Sequence, residues 1–325
     1  MNKKISAFVL ATMLLTAVPL AEAQQPKLYR VGVITTGGSW YETIDGLRSG
    51  LRQLGFEEGK QFILAIRDTK GDIKAAEEAA RNLEQAKVDL IYTTQTSVTI
   101  AAKRATADIP IVFCVGADPV VLGLVESLAK PGGRLVGVYE PGTDLTAKRL
   151  EILKEIIPKL RRAVMFYDPR NPVALESATA AKQEAARLQG VQIVERHIAS
   201  FEELQAGLRA LRPGEVDAFF EGSDALVQIH DQLIIDTARG KRLPTMFNNQ
   251  SSVPKGGLAS YSSSRHEVGR LSAKYVQRVL SGVKPKDLPV EAIDKIDLVI
   301  NLITAKQIGL TVPPNVLVRA QKVIR

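Results

Sequence analysis

Hydroxyls, amides, glycines and single carboxylates gather where short apolar runs of this chain end. Thr36, Gly37, Gly38, Ser39 and Trp40 follow the run Arg30–Thr35. Thr94, Gln95, Thr96 and Ser97 follow Asp89–Thr93, and Gly116, Ala117 and Asp118 follow Ile111–Val115, with Pro119 suited to a first helical turn. Hydroxyls, free backbone N–H groups and the positive ends of helices meeting at one edge suit a carboxylate or another anion. A second group comprises Tyr167 and Asn171 within Tyr167-Asp168-Pro169-Arg170-Asn171-Pro172, Ser223 and Asp224 after Glu221-Gly222, and Asn248 with Asn249. Asp224 is expected to hold a ligand ammonium and Asn248 to add amide contacts. Trp40, the single tryptophan, follows a Gly-Gly-Ser turn, which fits it to stack on a ligand or to close a cleft. Plainer roles exist for several of these residues. Ser97, Asp118 and Asp224 have the type and position of helix N-caps, and Gly37-Gly38 of a tight turn. Trp40 also has the option of packing under its own loop, and Arg170 that of a solvated turn. Three such loops on successive strands favour a site.

Other chemistry is missing. No Gly-x-x-x-x-Gly-Lys-Ser/Thr loop occurs, Gly132, Gly133 and Gly137 lack dinucleotide spacing, and Ser223 is not in a Gly-x-Ser-x-Gly elbow. His197, His230 and His266 stand apart, and position 270 is Arg where a zinc-protease motif starting at His266-Glu267 needs its second His. Cys114 is the only cysteine and sits in Ile111-Val112-Phe113-Cys114-Val115, so no intrachain disulfide forms and a buried, inert thiol is expected. Neither a metal nor another cofactor is expected, and the chain reads as a binding protein, not an enzyme.

The elements that position these loops alternate between two periodicities. Strands are predicted at Arg30–Thr35, Phe62–Arg67, Asp89–Thr93, Ile111–Val115 and Leu135–Tyr139, then at Ala163–Tyr167, Gln192–Arg196, Ala218–Glu221 and Thr245–Phe247. Helices are predicted near Glu42–Leu54, Ile73–Gln85, Val98–Thr106 and Val120–Leu128, then near Leu145–Ile156, Ala174–Leu188, Phe201–Ala210 and Leu226–Ala238. The strands are continuous apolar runs, so both faces are covered and the sheets are parallel. Two successive series imply an α/β fold of two lobes, because about ten parallel strands would strain one open sheet. The tail predicts a strand at Leu258–Tyr261, a helix at Glu267–Leu280, a strand at Ile296–Ile300, a short helix from Thr304 and a terminal helix after Pro313-Pro314. Residues 24–141 with about 258–290 are expected in lobe 1, and 142–257 with about 291–325 in lobe 2.

The first residues set the compartment. Lys3 and Lys4, the apolar stretch Ile5–Leu20 and Ala21-Glu22-Ala23 form the three parts of a secretory signal peptide expected to be cleaved near Ala23, giving an exported protein. The net charge of +8 falls by one when Lys3, Lys4 and Glu22 leave. Scattered along helices, that charge indicates solubility and no nucleic-acid partner.

Gly46-Leu47-Arg48 to Leu54-Gly55-Phe56-Glu57-Glu58-Gly59, Ala101-Ala102-Lys103-Arg104-Ala105-Thr106 before Ile109-Pro110-Ile111-Val112, and Asp118-Pro119-Val120 before Gly123-Leu124-Val125-Glu126 form a recognisable series. It continues with Lys148-Arg149-Leu150-Glu151, Leu288-Pro289-Val290-Glu291 and Leu298-Val299-Ile300-Asn301-Leu302 through Gly309-Leu310-Thr311-Val312-Pro313-Pro314. With these motifs the chain, from about Tyr29 onward, resembles the exported substrate-binding proteins of ABC transporters, specifically the tryptophan/tyrosine type. The resemblance implies the type I periplasmic-binding-protein fold: two Rossmann-like lobes with parallel sheets, joined by a hinge of three crossings. It further implies a small-molecule ligand held between the lobes, such as an aromatic amino acid or other carboxylate. A membrane permease and ATPase are implied as partners, and a monomer is the family's usual state. Two departures are expected near the cleft: Arg134-Leu135-Val136-Gly137 stands where the family has Asn-Ile/Val-Thr-Gly, and the early loop carries Thr36-Gly37-Gly38-Ser39-Trp40, where wide variation between members is expected.

The leading expectation is a periplasmic protein that captures an amino-acid-like or carboxylate ligand and delivers it to an ABC importer. A ligand-binding partner of a membrane sensor shares every feature above. A secreted α/β hydrolase would draw on Asp118, Glu221 and Asp224, but no activated nucleophile accompanies them.

Overall fold

A computed structural model describes residues 27–325, so the expected signal peptide lies outside the described residues. The first half runs β1 (Tyr29–Thr35), α1 (Tyr41–Gln53), β2 (Phe62–Asp68), α2 (Ile73–Gln85), β3 (Leu90–Thr93), α3 (Thr96–Ala105), β4 (Ile111–Val115) and β5 (Leu135–Tyr139). It is followed by α4 (Gly142–Ile156), β6 (Arg162–Tyr167), α5 (Pro172–Arg187), β7 (Gln192–His197), α6 (Phe201–Ala210), β8 (Ala218–Phe220), α7 (Ala225–Gln228), α8 (Asp231–Gly240) and β9 (Thr245–Phe247). The tail contributes β10 (Ala259–Ser262), α9 (Arg265–Leu280), β11 (Glu291–Ala292), β12 (Asp297–Asn301), α10 (Leu302–Ile308), α11 (Pro314–Leu317) and β13 (Lys322–Ile324).

Two sheets result, in the orders β11-β5-β4-β3-β1-β2 and β13-β12-β10-β9-β8-β6-β7. Every pairing is parallel except β10 with β12. β3 and β4 are buried along their whole length, as apolar runs between two helical layers must be. The chain passes between the sheets three times: after β5, after β10 and after β11. The crossings are tied together, since the Ser263 N–H donates to Glu140 Oε1 at 2.9 Å and the Ile293 N–H to the Tyr139 carbonyl at 2.7 Å.

Local chemistry explains the ends of the elements. Asp72 accepts from the Lys74 and Ala75 N–H groups at the start of α2, and Asn171 with Pro172 opens α5. Ser264 accepts from the Glu267 N–H in a Ser-x-x-Glu sequence that opens α9.

Several expectations are corrected. Residues 120–128 form turns, not a helix: Asp118 starts one turn through the Val120 N–H, and Gly123 then takes φ +63°, which ends it. The single helix expected at Leu226–Ala238 is two, α7 and α8, broken at Ile229-His230, where the His230 ring packs 4.3 Å from that of Phe201. The terminal helix is one turn long, and the chain closes on β13 as an edge strand. The segment around 259–262, expected in lobe 1, pairs in the second sheet, whereas Glu291–Ala292, expected in lobe 2, pairs with β5 in the first.

Helices α1 and α9 meet at backbone distance. A Cβ on Gly46 would lie 1.9 Å from the His266 carbonyl oxygen, and one on Gly269 would lie 1.9 Å from the Thr43 carbonyl oxygen. No other residue fits at either position without parting the helices. Gly46→Ala and Gly269→Ala should each cost on the order of 3 kcal/mol, and Gly240→Ala, which meets no atom within 4 Å, should change stability little. Thermal denaturation of the three variants checks this; equal midpoints would show that the helix pair can separate freely.

Candidate functional site

The carboxyl ends of strands from both sheets face one cleft, the place where α/β sheets bind ligands. The cavity there encloses about 750 Å³, its mouth included. Trp40, Gln95, Thr96, Ser97 and Gly116 line it from the first sheet's loops, and Asn171, Ser223 and Asn248 from the second's. The Gln95 Nε2 donates to Gln228 Oε1 at 3.0 Å, which ties α3's leading residue to α7 across the cleft. Gly38 lies against the Ile229 backbone, a Cβ there being 3.5 Å from its Cα. The two lobes are therefore closed on each other.

The remaining sequence candidates sit behind or beside this lining. Thr36 and Ser39 are buried with hydroxyls that have no partner, the Gly37 N–H donates to Thr35 Oγ1, and the Thr94 hydroxyl donates to the same oxygen. Asp118 is exposed and caps its turn. The Tyr167 hydroxyl donates to the Glu195 carboxylate at 2.5 Å and lies 3.1 Å from His197 Nε2, which commits it to β7. Asp224 spends its carboxylate on the Val227 and Asp168 N–H groups and lies outside the lining, so it is an N-cap and not the expected ammonium holder.

Sequence reasoning missed the charged residues of the cavity. Arg149, from α4, and Arg265, from the start of α9, both line it while only 2% and 6% exposed. Glu140 lines it at the first crossing, with Gln228 and Ser263 beside it. The usable signal was Ser262-Ser263-Ser264-Arg265, a polar strand-end segment of the same kind as the others. Arg149 had no such signal, because it occupies a helix interior.

Arg149 Nη1 donates to the Tyr261 carbonyl at 3.2 Å and Nη2 to Thr146 Oγ1 at 3.0 Å, leaving Nε without a partner. The Arg265 guanidinium carbon lies 3.7 Å from the centroid of the Trp40 ring, and its Nη1 has no partner. Burial pulls both guanidinium pKa values down, while Glu140 and Glu221 favour charged Arg149, and Asp231, Glu221 and Glu42 favour charged Arg265. Glu221 lies behind Asn248, whose N–H it binds at 2.9 Å, and its Oε1 is unpartnered. Burial, and then Asp231, push its carboxyl up to about 8. The Cys114 thiol lines the floor and is held protonated, pushed up to about 12 by burial.

Among the buried lining atoms without a partner, Trp40 Nε1, Arg149 Nε and Arg265 Nη1 are donors, and Asn248 Oδ1 is an acceptor. Buried polar atoms are nearly always paired. Three of these four atoms are donors, two of them on the cationic side chains that line the cavity. Among the described residues no group of three or more His, Cys, Asp or Glu side chains could hold a metal ion, and no helix is long and apolar enough to cross a membrane.

Comparison with known proteins places this cavity in context. A conserved domain protein from Vibrio cholerae shares 29% identity and a TM-score of 0.84, covering 91% of this chain and 100% of that one. A Streptococcus ABC domain solved in complex with L-Trp has a TM-score of 0.83 at 24% identity, covering 92% and 100%. A curated tyrosine-binding protein of Clostridioides difficile is 27% identical over 82% of this chain and 76% of its own length. The profile of the family described as ABC transporter substrate binding protein matches residues 30–324. The chain, with its two sheets closed over a cationic cavity, belongs to that family.

Proposed function

We propose that this protein binds an amino acid in the closed cleft, in the periplasm, and delivers it to an ABC importer. The observation that carries the reading is the pair of buried arginines, Arg265 on one lobe and Arg149 on the other, which line the same cavity. A carboxylate between them gives the two guanidinium groups a counter-charge, and a charged hydrogen bond contributes about 1.5–3 kcal/mol. Glu140, also in the lining, offers the ammonium its counter-charge. Val115, Val173, Val268 and Ile293 supply the apolar part of the wall for a side chain. The tyrosine-binding relative and the L-Trp complex support an aromatic amino acid. Because residues of both lobes touch the ligand only when the cleft is shut, the ligand favours the closed form, the form offered to a permease.

The test is a thermal-shift series on refolded mature protein with L-tyrosine, L-tryptophan, L-phenylalanine, tyramine, tryptamine and 3-phenylpropionate. A free amino acid at a hundredfold excess over its dissociation constant should stabilise the protein by about 2.7 kcal/mol. The carboxylate-free amines should give little shift; amines matching the amino acids would remove the arginine pair from the reading. Delivery is checked separately, by uptake of the labelled amino acid in a strain lacking this chain.

Arg265→Gln should weaken binding of the stabilising amino acid on the order of 100-fold, since it removes a charged donor. Titration calorimetry reads this, and circular dichroism confirms that the variant is folded. Unchanged affinity would exclude Arg265 from contact with the ligand.

Glu221 adds a pH dependence to the ligand-free protein. Its folded carboxyl keeps its proton up to about 8, against an ordinary 4.5. The folded state therefore binds the extra proton between those values. The stability it contributes is complete below 4.5 and falls as pH rises to about 8. Glu221→Gln, which cannot ionise, should flatten this fall by an amount on the order of a few kcal/mol. Chemical denaturation of both proteins across the range measures it, and parallel curves would show that Glu221 ionises freely.

A further inference from the structure

Arg265 is held in an unusual way for a buried cation. Its Nη1 finds no acceptor, and no ion pair within 4 Å anchors it among the described residues. Its neighbour in contact is the face of Trp40, 3.7 Å from centroid to guanidinium carbon. A guanidinium is planar and carries its donors in a rigid fork, so fixing its plane fixes where those donors point. The ring face attracts the cation without using any donor, which leaves the fork free for something else.

Trp40 is itself rigidly placed. It ends the one-turn Gly38–Trp40 segment, where its N–H donates to the Gly37 carbonyl at 3.2 Å, and it leads directly into α1. Arg265 begins α9, and those two helices are locked backbone to backbone at Gly46 and Gly269. The ring and the guanidinium therefore belong to one rigid body on the first lobe and do not depend on cleft closure. One face of the indole is already occupied by Arg265, so that face is closed to a ligand ring.

We propose that Trp40 is a positioning residue for Arg265: its indole face holds the guanidinium plane at the cavity wall, where the guanidinium meets the carboxylate of the bound amino acid. This rests on the amino-acid reading above. It assigns Trp40 to recognition of the carboxylate, common to all amino acids, and not to the ligand's aromatic side chain. Selectivity between side chains then falls to the rest of the wall.

The experiment measures dissociation constants of L-tyrosine and tyramine, which differ only in the carboxylate, for the wild type, Trp40→Phe and Trp40→Leu. Trp40→Leu should weaken L-tyrosine roughly tenfold and leave tyramine unchanged, so that discrimination between the two falls by the same factor. Trp40→Phe, which keeps a ring, should restore most of it. An equal loss for both ligands would make Trp40 a stacking surface, and unchanged L-tyrosine affinity would make it a packing residue; either overturns the proposal. A wild type that binds neither L-tyrosine nor any amino acid of the panel would instead bring down the amino-acid reading, and the proposal with it. Trp40 is the single tryptophan, so ligand-free emission provides a separate check. It should change in Arg265→Gln, and an identical spectrum would show that the ring and the cation are not in contact in solution, which also overturns the proposal.

Discussion

The backbone contact between α1 and α9 is the constraint on which the site depends. A helix pair normally sits about 8–10 Å apart because side chains separate them. Here Gly46 and Gly269 remove those side chains, and the carbonyls of His266 and Thr43 occupy the space. α1 arrives from a strand-end loop of the first sheet, and α9 arrives from the second sheet after a crossing. Their contact binds the returning tail to the first lobe and sets Trp40 and Arg265, the leading residues of the two helices, face to face. A shift of an ångström there would leave the guanidinium without its support.

That support matters because of what the site contains. Arg149, Arg265 and Glu221 are nearly fully buried beside the half-buried Glu140, with Asp231 close behind. Taking several ions out of water is costly unless each is paired. The protein pairs them incompletely: Glu140 is engaged by the Ser263 N–H at the hinge, Asp231 Oδ2 accepts from the Ser252 hydroxyl, and the arginines keep free donors. Glu221 meets the same difficulty by holding its proton. A cleft that is electrostatically unfinished without its ligand gives the ligand a differential preference for the closed form, and only such a preference can shift a conformational equilibrium.

Much of this architecture was legible from periodicity. The apolar runs from Val31 to Phe247 mark β-strands because both faces of a parallel sheet are covered, which leaves little ambiguity of register or type. What failed was local. Gly123 ends a turn that the apolar spacing of residues 120–128 had made look helical, and β11 and β13 are too short to carry a pattern. The lobe boundaries were displaced because β10 joins the second sheet by pairing with β9 and β12, a long-range fact with no local trace. At the site, loop residues such as Gln95, Ser97 and Asn171 were readable, since strand ends in this topology converge on one cleft. Arg149 was not, because a helical arginine at a buried position looks like any solvated one until the fold closes over it.

The direct tie between Gln95 and Gln228 differs in character from the charged groups around it. It joins two neutral amides across the cleft, and a neutral hydrogen bond contributes only about 0.5–1.5 kcal/mol. Such a contact orients the lobes but is too weak to hold them shut against the burial of two guanidinium groups. An anion between Arg149 and Arg265 would act in the opposite sense, turning the least favourable feature of closure into its strongest contact. The amides then set the geometry and the charges set the direction. That division explains why the cleft's charged groups are deep and few, whereas its cross-lobe contact is polar and uncharged.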